Sequence, residues 1–155
     1  MRYIIPGSEC FRSRVCHWKR GGCEICKVSE YKIITNNPLV QEKYPETVEF
    51  IRDGAHYVLI VARDMVHMGA KLLNHPLSGV ITPGASPYKT LVVSRLEKKG
   101  SAVPDFGSLS LIEGALGAVQ KSPGGRCAYD YETLVDFQVI DLDMLDSAMG
   151  ALGGR

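Results

Sequence analysis

A chain of 155 residues with 45% apolar and 23% charged side chains suits one domain that owns its core without disulfide staples. A net charge of +1 gives no general attraction to nucleic acid or to an anionic membrane. No apolar run approaches the ~20 residues of a membrane span, and the start MRYIIPGSEC is too short in apolar residues for a signal-peptide core.

The expectation is therefore a cytoplasmic protein with no nucleic-acid or membrane partner. Its five cysteines are then reduced thiols, redox groups or metal ligands before they are structural disulfides.

Residues 1–29 stand apart. They are rich in Cys and Arg, show no hydrophobic period, and precede a regular body spanning 30–155. Residues 1–30 hold six Lys/Arg against three Asp/Glu, so the front end is mildly basic and the body mildly acidic. Two readings of the extension stand open. It is a disordered tail, or residues 1–27 are a non-native upstream extension of the reading frame. Within it, Cys23-x-x-Cys26 is a competent half of a zinc knuckle or a dithiol pair. Cys10 and Cys16 are a poor second half, having five residues between them instead of two to four. No cofactor is expected, with zinc at Cys10, Cys16, Cys23 and Cys26 the weaker alternative. Cys127 is alone in a Gly-rich loop and reads as an unreactive thiol.

The body begins with a short apolar strand, YKIITNNP. Asn37 is placed to cap a brief helix that opens at Pro38 and ends near Tyr44, before Pro45. VEFI is a second strand. The next segment has apolar residues at Val58, Val61, Ala62, Met65 and Leu72, a helical stripe that ends near Gly69. KLLNHP follows as a third strand and TLVVSRL as a fourth. A helix is expected over DFGSLSLIEGALGAVQKS, with Leu109, Ile112, Leu116 and Val119 on one face. In LVDFQVI, Val135, Phe137 and Val139 alternate, which predicts a fifth strand. A last helix, DLDMLDSAMGAL, would be capped by Asp141 and stopped by Gly153 and Gly154.

Strands alternating with helices predict an α/β fold. The expected form is a single three-layer domain, with a mainly parallel sheet of about five strands and helices on both faces. Ligands of such sheets favour the carboxyl ends of the strands, where TNNP and NHPLSG would meet.

Four motifs carry a resemblance: IITNNPLV at 33–40, KLLNHPLSG at 71–79, SPYKTLVVS at 86–94 and DFQVIDL at 136–142. In these residues the chain resembles the GrdX family, over roughly 31–150 and in the same order. The family is encoded with glycine, sarcosine and betaine reductase systems of anaerobic amino-acid fermentation. The resemblance implies an accessory role there, with reductase subunits as candidate partners. It implies no reaction.

The candidate site gathers Asn36, Asn37, His75, Ser78, Gly79, Tyr88 and Lys89. Lys89 would neutralise a carboxylate or phosphate, Ser78 and the Gly79 backbone would donate to it, and the asparagines would orient it. For each residue a plain structural role is open too: caps, turn bonds, a solvated charge. The rival reading is an enzyme with His75 as acid/base and Lys89 as electrostatic stabiliser. Binding is favoured, because amides orient well and transfer protons poorly. A phosphate P-loop, a Gly-x-Gly-x-x-Gly turn and a Gly-x-Ser-x-Gly elbow are all missing from the sequence. His56 and His67 read as surface residues.

Overall fold

The computed structural model describes residues 31–78, 84–95, 103–121 and 129–153. The N-terminal cysteines, Gly79 and Cys127 lie outside them.

The central strand is β1 (Tyr31–Thr35), in which Ile33 and Ile34 are both 0% exposed. Adjacent strand residues point to opposite faces, so β1 must be covered on both sides. Asn37 ends it by accepting from the Leu39 N–H (3.0 Å), which caps α1 (Pro38–Lys43). The chain returns as β2 (Val48–Phe50), parallel to β1 with Ile33 opposite Val48. Next comes α2 (Ala55–His67), which buries Val58, Leu59, Ala62, Met65 and Val66. Its end is set by Gly69 at φ 99°, a left-handed conformation that a side chain would strain. Gly69 N–H bonds Val66 O (2.9 Å) and Ala70 N–H bonds Met65 O (3.0 Å), satisfying the last carbonyls.

The expected third strand does not form. Lys71–Pro76 makes one isolated bridge, Leu72 with Val93, and then stops pairing. Asn74 explains the stop. Its side chain accepts from Val92 N–H (2.8 Å) and donates to Thr90 O (3.2 Å). The amide thereby occupies the ladder bonds that the following backbone would have made, and the chain turns away at His75–Pro76.

The strand β3 (Thr90–Ser94) then runs antiparallel to β1, with Thr90 opposite Thr35 and Ser94 opposite Tyr31. No helix lies among the described residues of 75–89, and a parallel return needs such a crossover. The sheet thus has three strands in the order β2-β1-β3, one pair parallel and one antiparallel. This overturns the expected five-stranded, mainly parallel, three-layer arrangement.

Two helices complete the fold, α3 (Phe106–Lys121) and α4 (Tyr131–Gly153). Asp105 starts α3 by accepting from Ser108 N–H (2.9 Å) and Ser108 Oγ (2.6 Å). The strand expected at 134–140 is instead the first half of α4. Val135, Phe137 and Val139 do alternate, but Leu142, Leu145, Met149 and Leu152 continue at helical spacing and pack together against Ile33 and Val92. The cap lies upstream of the expected Asp141, at Asp130, which accepts from Thr133 N–H (2.8 Å).

The core has two parts. On one face of the sheet Ile34, Leu91 and Val93 pack with Leu59, Ala62 and Val66 of α2 and Ile112, Ala115 and Leu116 of α3. On the other, Ile33 and Val92 pack with Val40 of α1 and Leu145 of α4. Tyr44 Oη donates to Asp146 Oδ1 (2.7 Å), and Lys43 pairs with the same carboxylate, which ties α1 to α4. Among the described residues no helix is long and apolar enough to cross a membrane.

Candidate functional site

The carboxyl end of β1 meets the amino end of β3, and the residues there divide into scaffold and cavity.

Asn36 is scaffold. Its Nδ2 donates to Asp53 O (3.0 Å) and Pro87 O (2.8 Å), and its Oδ1 accepts from Lys89 N–H (2.8 Å). Two of those bonds pin the Pro87–Lys89 backbone to the end of β1, and the third holds the Asp53 turn beside it. They also use the amide, so Asn36 does not offer it to a ligand. Asn37 is wholly buried, and besides capping α1 it donates to Gln138 O (2.8 Å) and Asp141 Oδ2 (2.9 Å). Tyr88 is half-buried, and its hydroxyl accepts from Gln138 Nε2 (2.9 Å).

His75, Ser78 and Lys89 do come together. They line one cavity of about 230 Å³ with Asn74, Thr90 and Asp141, closed on the far side by Met144, Leu145, Ser147 and Ala148 of α4. His75 and Ser78 are exposed at its rim, whereas Lys89 is only 8% exposed. The His75 Nδ1 accepts from Leu77 N–H (3.2 Å), which puts the proton of the neutral ring on Nε2. Tyr88 borders a smaller neighbouring cleft that shares Lys89.

Lys89 is the unusual group. Among the described residues its Nζ has one hydrogen-bond partner, Ser78 O at 3.4 Å. Burial pushes its ammonium below the ordinary lysine range, and the charge of Asp141 partly opposes that shift. The sequence offered Lys89 as a point charge for a ligand anion, with a solvated strand-entry charge as the plain alternative; the fold buries it.

Asp141 was read as a helix cap, and its part in the cavity was missed. It sits inside α4 and faces β3, where Thr90 Oγ1 donates to its Oδ2 (2.6 Å). Thr35 Oγ1 lies 2.6 Å from Thr90 Oγ1 and accepts from Asn37 N–H (3.0 Å), so the carboxylate is held by a chain of hydroxyls and amides. Burial pushes Asp141 above the ordinary carboxylate range, against the pull of Thr90, Asn37 and Lys89. The signal that could have found it is the helical register, which puts Gln138, Asp141 and Leu145 on one side of α4.

Among the described residues no three His, Cys, Asp or Glu side chains are grouped to hold a metal ion.

The fold and site define a small α/β domain, with a polar cavity where a three-stranded mixed sheet meets its longest helix. The chain belongs to the GrdX-like protein family, whose model matches residues 32–150. The family name associates its members with glycine reductase systems and assigns neither an activity nor a partner. Comparison with curated proteins and with solved structures gives no match.

Proposed function

We propose that the protein is an accessory component of a glycine, sarcosine or betaine reductase system, and that it binds a small anionic ligand in the cavity between β3 and α4. One observation carries this reading. Lys89 is buried on the cavity wall and, among the described residues, has a single long hydrogen bond, to a carbonyl. An ammonium taken from water needs compensation. A carboxylate or phosphate supplies it, and His75 Nε2–H, Ser78 and Ser147 are further donors around the same space. Asn36 and Asn37 lie behind the lining and hold Lys89 and Asp141 in place.

Binding fits this arrangement better than catalysis. The Nδ1 lone pair of His75 is engaged by Leu77, and its ring lies at the rim, so nothing aims it at a reacting atom. The reductase setting rests on the family name, with reductase subunits as the expected partners.

The test is thermal unfolding with acetate or inorganic phosphate. At a hundredfold excess over Kd either anion should raise Tm by about 5 to 10 °C, and Lys89→Met should remove the shift. An undiminished shift in Lys89→Met would sink the site. Affinity capture from cells growing on glycine tests the setting; recovery of no reductase subunit would count against it.

A further inference from the structure

We infer that the ligand is a short zwitterion of the α-amino-acid type, its carboxylate at Lys89 and its cationic nitrogen at Asp141. This rests on the anion-site reading above and specifies its chemistry.

Both charged groups line one cavity, yet no ion pair among the described residues joins them. Each is held by other bonds. Lys89 leans on Ser78 O, while Asn37 and Thr90 both donate to Asp141 Oδ2. Asp141 Oδ1 has no hydrogen-bond partner among the described residues and is free to accept one. The carboxylate is thus fixed in place before a ligand arrives.

Two opposite charges on one cavity, Lys89 buried and Asp141 half-buried, with no ion pair between them among the described residues, favour a ligand that carries both complements. A simple carboxylate would gain Lys89 and meet the repulsion of Asp141. A simple ammonium would have the reverse problem. A zwitterion satisfies both, so the second charge acts as a filter against half-ligands. Burial disfavours the charged form of each group, and the ligand charges restore what burial removes.

Size narrows the class. A cavity of about 230 Å³ lies below the ~300–1,000 Å³ of sites for drug-sized ligands, so the two ligand charges must sit close together. Met144, Leu145 and Ala148 on the α4 wall suit a short carbon skeleton, with Ser147 the polar group among them.

Titration of the full chain with glycine, acetate and methylammonium tests this, read by calorimetry. Glycine is expected to bind at least tenfold tighter than either half-ligand. Acetate binding as tightly as glycine would overturn the zwitterion while leaving the anion site standing. Methylammonium matching glycine, or no binding by any of the three, would overturn both. In Asp141→Asn the ratio of glycine to acetate affinity should collapse to about one. A ratio unchanged from the parent would remove Asp141 as the partner of the nitrogen, and the inference with it.

Discussion

Asn37 Nδ2 lies 2.9 Å from the Asp141 carboxylate, so the residue that starts α1 also orients the acidic group of the cavity on α4. One amide thereby serves the fold and the site together. Asn37→Ala should cost about 2–4 kcal/mol, the sum of a lost helix cap and a buried hydrogen-bond partner left unpaired. Asn37→Asp keeps a capping oxygen but sets a second carboxylate beside Asp141. It should be tolerated in acid and lose stability as both groups ionise. Urea unfolding at two pH values separates these cases; equal losses for both variants at both pH values would contradict the double role.

Lys89→Met should fall within about 1 kcal/mol of the parent or exceed it, because an apolar isostere removes a desolvated charge. The pH dependence has a definite sign. In the fold the ammonium holds its proton less tightly than in the open chain. Between its lowered value and 10.5 the open chain therefore binds more protons, and stability climbs with pH. The methionine variant should lack this climb in alkaline urea titrations.

Tyr44 gives the opposite slope. Burial first, then the hydrogen bond to Asp146, push its hydroxyl from 10.0 up to about 12. The folded form keeps the proton longer, so this contribution is complete below pH 10.0 and is lost as pH rises toward about 12. Tyr44→Phe should flatten that fall, as read by thermal unfolding across the same range.

Val139→Pro tests the register of α4. A proline inside a helix removes a backbone bond and clashes with the preceding turn, at a cost of about 3 kcal/mol or more. The variant should lose helical signal in far-ultraviolet circular dichroism together with stability. Unchanged spectra would argue for a break in the helix near Asp141.

The local signals of this chain were easy to read where the residues act on their neighbours. Asn37–Pro38 starts α1 and the Tyr44–Pro45 step ends it, and Gly69 closes α2. Asn74 shows the limit. Its amide takes the place of a strand backbone on β3, a long-range substitution that hydrophobic pattern does not encode. The alternation of Val135, Phe137 and Val139 misled for a related reason. Period two and period 3.6 overlap over seven residues, and only the longer run to Leu152 separates them. Among site residues, His75, Ser78 and Lys89 were legible as a group. Asn36 was named as a ligand contact, and its amide is instead taken up by three partners from two other stretches of chain, Asp53 and Pro87–Lys89.

The cavity is assembled from far-apart segments: Thr35 meets Thr90 across a separation of 55 residues, and Asn37 meets Asp141 across 104. Such contacts are slow to close, since loop entropy is lost before they return anything. A site of this kind belongs to the late stages of folding. A ligand held there should leave the folding rate nearly alone and slow unfolding instead, so its presence would lengthen the lifetime of the native chain.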